Sequence, residues 1–234
     1  MPFLKFNAIT IKAQYLHFYM REFVYYSRIA PTAGNYVNEA DPAESGRLDI
    51  SIHSIIAAFF LSYKIRTDVR MHLVFAGMPD PPKHLELQPV TEGKTGIHKI
   101  YLSKKNVAGV IKRMLYKYRE GEKREVFPGF WIEKKGFLEL INEFYSQGRN
   151  LYVLDPKGKD IREAEIKPDP IFILGDNRGL PAKELKRFKK MCTPISIGKR
   201  TYFASHTIAI VNNELDRLED SGKLPKSPLI EIEE

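Results

Sequence analysis

The chain has 234 residues, 43% of them hydrophobic, enough to build a sizeable core and to exclude wholesale disorder. The longest apolar run, Ile55 to Leu61, falls far short of the roughly 20 residues of a membrane helix, and no basic start with a small-residue cleavage site marks a signal peptide, so a soluble cytoplasmic protein with no membrane partner is expected. One cysteine, Cys192, excludes an internal disulfide, no Cys/His spacing suggests a metal, and a net charge of +8 suits a polyanionic partner, although a basic enzyme without one tolerates it too.

Residues 1–19 mix apolar, aromatic and basic side chains without a period, and Met20 is an alternative start. Arg21 to Tyr26 reads as a first strand rich in β-formers. The stretch from Pro31 to Gly46 carries Pro, Gly, Asn, Asp and Ser with no apolar period, which predicts a long loop, a kind of segment that is often functional. Ile52, Ile55, Ile56, Phe59, Phe60 and Tyr63 recur at helical spacing, with Asp49 or Ser51 as the expected N-cap. His72 to Ala76 predicts a short buried strand closed by Gly77 and the Pro79 to Pro82 turn, and further strands are expected near Leu85 to Leu87 and Ile97 to Leu102.

A helix over Lys104 to Tyr118 follows from Val107, Val110, Ile111, Met114, Leu115 and Tyr118, with a basic outer face. Phe130 to Ile132 reads as a strand, Phe137 to Phe144 as a helix, Leu151 to Leu154 and Ile171 to Leu174 as strands, and Lys183 to Lys190 as a helix. Pro194 to Ile197 is expected to be the last strand, Phe203 to Leu218 the final helix, and the tail after Gly222 is expected to fray. Strands and helices in alternation predict an α/β domain whose sheet is mostly parallel and flanked by helices.

Two loops stand where an apolar strand gives way to a polar stretch, the place where open α/β sheets bind ligands. In the first, Gly175 follows Ile171 to Leu174, and a residue without a Cβ there lets backbone approach a ligand, or simply makes a tight turn. In the second, Ile197-Gly198-Lys199-Arg200-Thr201-Tyr202 precedes the last helix, whose free amides suit an anion. The absence of a Walker lysine pattern and of G-x-G-x-x-G argues against nucleoside triphosphates and dinucleotides.

The runs Ile171 to Asp176, Ile195 to Ile197, and Ala204-Ser205-His206-Thr207-Ile208 through Asn213-Glu214-Leu215-Asp216 resemble the archaeal tRNA pseudouridine-54 N1-methyltransferases of the SPOUT superfamily. Met20 to Phe23, Gly46-Arg47-Leu48-Asp49 and Pro79 to Pro82 extend the resemblance, which covers roughly residues 20–218. It implies one SPOUT domain over 20–218 with a C-terminal deep trefoil knot over about 150–218, a tail over 219–234, and an extension or start-site artefact over 1–19. It further implies a homodimer, a tRNA substrate, and S-adenosyl-L-methionine held among three loops by Leu154, Gly175, Ile197, Gly198, Lys199, Arg200, Thr201, Tyr202 and Thr207. Thr207 stands where this family usually has cysteine, and a threonine hydroxyl with no evident base is a poor nucleophile.

The implied reaction methylates N1 of pseudouridine, which unlike the glycosidic N1 of uridine carries a proton, so a base or a nearby cation assists. Asp49 is the candidate base or ring-orienting group, with the N-cap role as its structural alternative, and Arg47 is assigned beside it in the catalytic pair. Arg47 and Arg21 are candidates for phosphate or base contacts, against a role as ordinary surface arginines. Asp176 contacts a ligand or terminates its turn; His206 is read as structural, His53, His72 and Trp131 as core, and Cys192 as inert. The basic runs Lys104-Lys105, Lys112-Arg113, Lys117 to Arg119 and Lys183 to Lys190 read mainly as solvated faces that add nonspecific phosphate attraction. The readings that remain beside tRNA methylation are a ribosomal-RNA pseudouridine N1-methyltransferase and a noncatalytic RNA-binding or ribosome-assembly protein that keeps the knot.

Overall fold

The structure, a computed structural model, describes residues 19–91, 94–95, 103–181, 186–226 and 229–231. At its centre lie β1 (Arg21–Ser27), β3 (Val69–Phe75) and β10 (Pro170–Gly175), joined in parallel and followed outward by β9 (Asn150–Asp160) and β11 (Thr193–Ser196). On the other side of β3, the strands β4 (Lys83–Leu87), β8 (Phe130–Glu133) and β7 (Arg124–Phe127) add antiparallel, completing the order β11-β9-β10-β1-β3-β4-β8-β7. The expected alternation of strand and helix thus fails where β3 meets β4 and where β7 meets β8, because short turns there let the chain fold straight back. Short strands β2 (Lys64–Arg66), β5 (Val90–Thr91) and β6 (Lys94–Thr95) lie outside this sheet.

Alternation along the strands sends side chains to two cores. Phe23, Tyr25, Met71, Leu73 and Phe75 pack against α1 (Leu48–Phe59), α2 (Lys104–Lys117) and α4 (Ala204–Asp220). Val24, Val74, Leu151, Val153, Ile171 and Ile173 pack on the opposite face against α3 (Phe137–Ser146), Phe188 and Cys192. Burial on both faces explains why Ile171 to Leu174 is apolar without a break.

Several expectations change. The first helix begins at Leu48 with Arg47, not Asp49 or Ser51, at its N-cap; Asp49 sits in the first turn, and the helix ends before Tyr63, which is exposed. The strand at β9 runs well beyond Leu154, β7 is an additional strand, and the expected strand over 97–102 lies outside the described residues. So do residues 183–185 of the expected Lys183 to Lys190 helix, of which 186–188 are helical. The tail does not simply fray after Gly222, because β12 (Leu229–Glu231) pairs antiparallel with β2, and so β11 is not the last strand.

Arg21 is not a surface contact for RNA. Its guanidinium is fully buried and meets Asp68 at 2.5 Å, Asp216 at 2.8 Å and Glu219, while Arg66 meets Asp216 at 2.5 Å. This cluster ties α4 to β1 and β2. On the α3 face, Glu22, His72, His84 and Glu133 form a ladder across β1, β3, β4 and β8, each successive contact 2.9 Å long. His72 is therefore buried as expected, but as part of a polar ladder; His53 and Trp131 are only half-buried, and Lys123 Nζ lies 5.8 Å from the Trp131 ring centroid.

Candidate functional site

Adjacency of β11, β9 and β10 brings three sequence-distant loops together at one sheet edge. Pairing of β9 with β11 jumps from Val153 opposite Pro194 to Lys159 opposite Ile195, so the segment from Leu154 to Gly158 leaves its partner. Beside it, β10 ends at Gly175 and turns through Asp176 to Gly179, and β11 runs on through Ile197 to Phe203 before α4 begins. Together these loops and Ile50 of α1 enclose a cavity of about 660 Å³. Its walls are largely apolar, with Leu154, Leu174, Leu180, Ile195 and Ile197, and its edges are polar, with Asp155, Arg200 and Thr201. That size and composition suit a small-molecule ligand.

Of the residues assigned to the cofactor, Leu154, Gly175, Ile197, Gly198, Arg200, Thr201, Tyr202 and Thr207 line this cavity. Lys199 is exposed and does not belong to the lining. Gly175 is glycine for a reason other than ligand approach: a Cβ there would come within 2.5 Å of the Gly179 carbonyl carbon and 2.8 Å of the Leu180 nitrogen. Its turn folds back on itself, so the tight-turn reading accounts for the glycine. Asp176 clasps the same turn, accepting hydrogen bonds from Ser27 Oγ at 3.0 Å, the Arg28 amide at 3.0 Å and the Arg178 amide at 2.8 Å.

Arg47 and Asp49 do not line the cavity, but Ile50, the next residue, does. The Arg47 guanidinium meets Asp49 through two bonds of 3.0 Å, and this pairing holds the Asp49 carboxyl below the usual carboxylate range. Arg47 itself is held at φ 58°, ψ 38°, a left-handed conformation costly for a residue with a Cβ. It is reached through Gly46, also at positive φ, where a Cβ would lie 1.9 Å from the Ile29 carbonyl oxygen. One turn along α1 from Asp49, His53 is shifted below its usual range by burial and by the charge of Lys104, with His206 adding to the effect.

His206 is exposed and lines the cavity, with Phe203 against its ring at 5.7 Å. Asp155, Pro156, Leu180 and Phe203 are further lining residues that no motif singled out. A helical wheel contains the signal for His206: α4 buries Ala204, Ile208, Val211 and Leu215, and His206 lies off that stripe. Cys192 is buried, and burial pushes its thiol up to about 12, which agrees with an inert side chain. Among the described residues no group of His, Cys, Asp and Glu is placed to hold a metal ion, and no helix is long and apolar enough to cross a membrane.

A family model for SAM-dependent RNA methyltransferases matches residues 20–220. A relative from Methanosarcina mazei named tRNA (pseudouridine(54)-N(1))-methyltransferase is 34% identical over 211 residues, covering 88% of this chain and 96% of its own. One of the same name from Methanocella arvoryzae is 36% identical over 203 residues, covering 85% of this chain and 100% of its own. Among solved structures, Archaeoglobus fulgidus Nep1 bound to S-adenosylhomocysteine shares the fold with a TM-score of 0.56 at 10% identity, covering 86% of this chain and 99% of that one.

Proposed function

This chain belongs to the family of SAM-dependent RNA methyltransferases, and from that premise we propose that it methylates N1 of pseudouridine 54 in tRNA. The observation that carries the reading is the cavity where the loops after β9, β10 and β11 converge, lined by eight of the nine residues that the family resemblance assigns to the cofactor. S-adenosylmethionine, when bound, supplies a methyl group already activated by its sulfonium centre. The chain therefore has to bind, orient and exclude water. Leu154, Leu174, Ile195 and Ile197 offer apolar walls to the adenine, and the amides at the start of α4 offer donors and a positive helix end to a carboxylate. Thr207 keeps a small side chain on the wall where the family usually has cysteine, and catalysis needs no nucleophile from it.

Arg47 and Asp49 act together at the side of the cavity next to Ile50. The rigid two-bond pair fits recognition of the uracil ring better than proton removal, because the guanidinium already engages the carboxylate. A single domain over 20–218, its C-terminal part threaded as a trefoil knot over about 150–218, a homodimeric state and a cytoplasmic location complete the proposal, supported by the family resemblance. Titration calorimetry with S-adenosylmethionine, followed by nucleoside mass spectrometry of treated tRNA, tests the reading. Binding together with N1-methylpseudouridine as the product is expected; a bound cofactor with a different methylated nucleoside overturns the substrate assignment.

A further inference from the structure

We propose that His206 is the general base that takes the N1 proton of the target pseudouridine, an inference that rests on the methyltransferase reading above. While N1 keeps its proton its lone pair is delocalised into the uracil ring, so removing that proton as the new bond forms lowers the barrier. A base for this purpose has to reach the cavity and have a free lone pair. The three carboxylates at or beside the cavity are each already engaged on both oxygens. Asp155 is engaged by Lys189 Nζ at 2.7 Å and by the Lys157 amide at 3.0 Å. Asp176 accepts from Ser27, Arg28 and Arg178 within its own turn. Asp49 is bound on both oxygens by Arg47.

His206 differs from all three. It lines the cavity from the first turn of α4, it is exposed, and among the described residues neither ring nitrogen takes a hydrogen bond from protein. Its packing contact is the edge-on Phe203 ring, 5.7 Å away at an interplanar angle of 78°, which limits the ring's orientation without occupying its nitrogens. The charged and titratable groups around this mouth include Asp155 and Asp176 on the loops after β9 and β10, Arg200 and Tyr202 on the β11–α4 loop, Arg47, Asp49 and His53 on and before α1, and Lys104 at the start of α2.

In the step itself, the N1 lone pair forms a bond to the methyl carbon while the carbon–sulfur bond breaks and its electron pair stays on sulfur. The N1–H bonding pair stays on nitrogen and the proton passes to a ring nitrogen of His206. The imidazolium then loses that proton to solvent, to which the side chain is open. Charge balances: a sulfonium cation and a neutral base give a neutral thioether and one proton.

His206→Gln, assayed on tRNA carrying pseudouridine 54, tests the assignment. Expected are a fall in kcat of about 100- to 10,000-fold, unchanged calorimetric affinity for S-adenosylmethionine and for tRNA, and loss of the acid limb of the wild-type pH profile of kcat. Ring-nitrogen NMR on the wild type with S-adenosylhomocysteine supplies a readout free of turnover. The His206 signal is expected to move on adding a T-arm RNA containing pseudouridine and to stay in place when uridine replaces it. A variant with wild-type kcat and an intact acid limb, or a ring signal that does not distinguish the two RNAs, overturns the base assignment alone. A wild-type protein that transfers no methyl group to pseudouridine RNA overturns the functional reading and this inference together.

Discussion

Gly175 and Arg21 show how a residue's neighbours decide its meaning. Gly175 is required because the backbone of Gly179 and Leu180 fills the space a Cβ would take. Replacing it with alanine should cost about 1–3 kcal/mol in chemical denaturation and weaken S-adenosylmethionine binding in calorimetry, since the displaced turn forms one wall of the cavity. Arg21 looked like a candidate for phosphate, yet it shares the i, i+2, i+4 face with Phe23 and Tyr25, both buried under helices. That alternation was legible and pointed inward. The same holds for His206, whose position off the apolar stripe of α4 already placed it outside the core. Arg47 was legible only as a charge beside Asp49, because its left-handed backbone depends on Gly46 packing against Ile29. Arg47→Ala should lower kcat/KM for tRNA about 10- to 100-fold, the value of one or two charge-assisted hydrogen bonds, while cofactor affinity stays as in the wild type. Equal losses of tRNA turnover and cofactor affinity would contradict a role in holding the uracil.

Elements with a strong period were read correctly and those without one were not. The stripes of α2 and α4 and the unbroken apolar run of β10 follow directly from side-chain burial, whereas β7 alternates weakly on a half-exposed sheet edge. The second half of β9, Asp155 to Asp160, carries no apolar signal because its pairing comes from β11 across the loop that borders the cavity. The Arg21 cluster, which ties α4 to β1 beside that apolar stripe, is also not periodic. Arg21→Met should destabilise the fold by about 3–5 kcal/mol, since Asp68, Asp216 and Glu219 would be left together without their central cation.

The Glu22–His72–His84–Glu133 ladder makes the pH dependence of stability specific. Burial pushes His84 down to about 4, against the pull of Glu133. Burial would raise the Glu22 carboxyl, but His72, Arg70 and Arg149 outweigh it and bring Glu22 to about 2; His84 and Lys135 do the same for Glu133, also to about 2. In all three cases the unfolded chain binds its proton first, so acid favours unfolding. Stability should decline as pH falls from 6.5 through about 4 as His84 resists protonation, and again from 4.5 towards about 2 as the carboxylates lose their partners. Denaturation midpoints for wild type and His84→Gln test this: the variant should lack the first decline, and an identical profile would contradict the assignment to His84.

For the whole molecule, composition gave the charge and alternation gave the fold class, but neither gave the site. The cavity takes Ile50, Leu154, Leu174 and Ile197 from four separate stretches, and only the strand order β11-β9-β10-β1 makes them neighbours. The net charge of +8, with Lys104, Lys105, Arg113, Lys117 and Arg119 exposed on and after α2, should act on RNA as a field. With only three phosphate contacts, tRNA affinity should fall about 20- to 40-fold between about 50 and 200 mM salt, whereas S-adenosylmethionine affinity should change little. The most direct measurement is methyl transfer from labelled S-adenosylmethionine to two tRNAs that differ only in having pseudouridine or uridine at position 54. Label confined to the pseudouridine tRNA and recovered as N1-methylpseudouridine is the predicted result; equal labelling of both, or of neither, would contradict it.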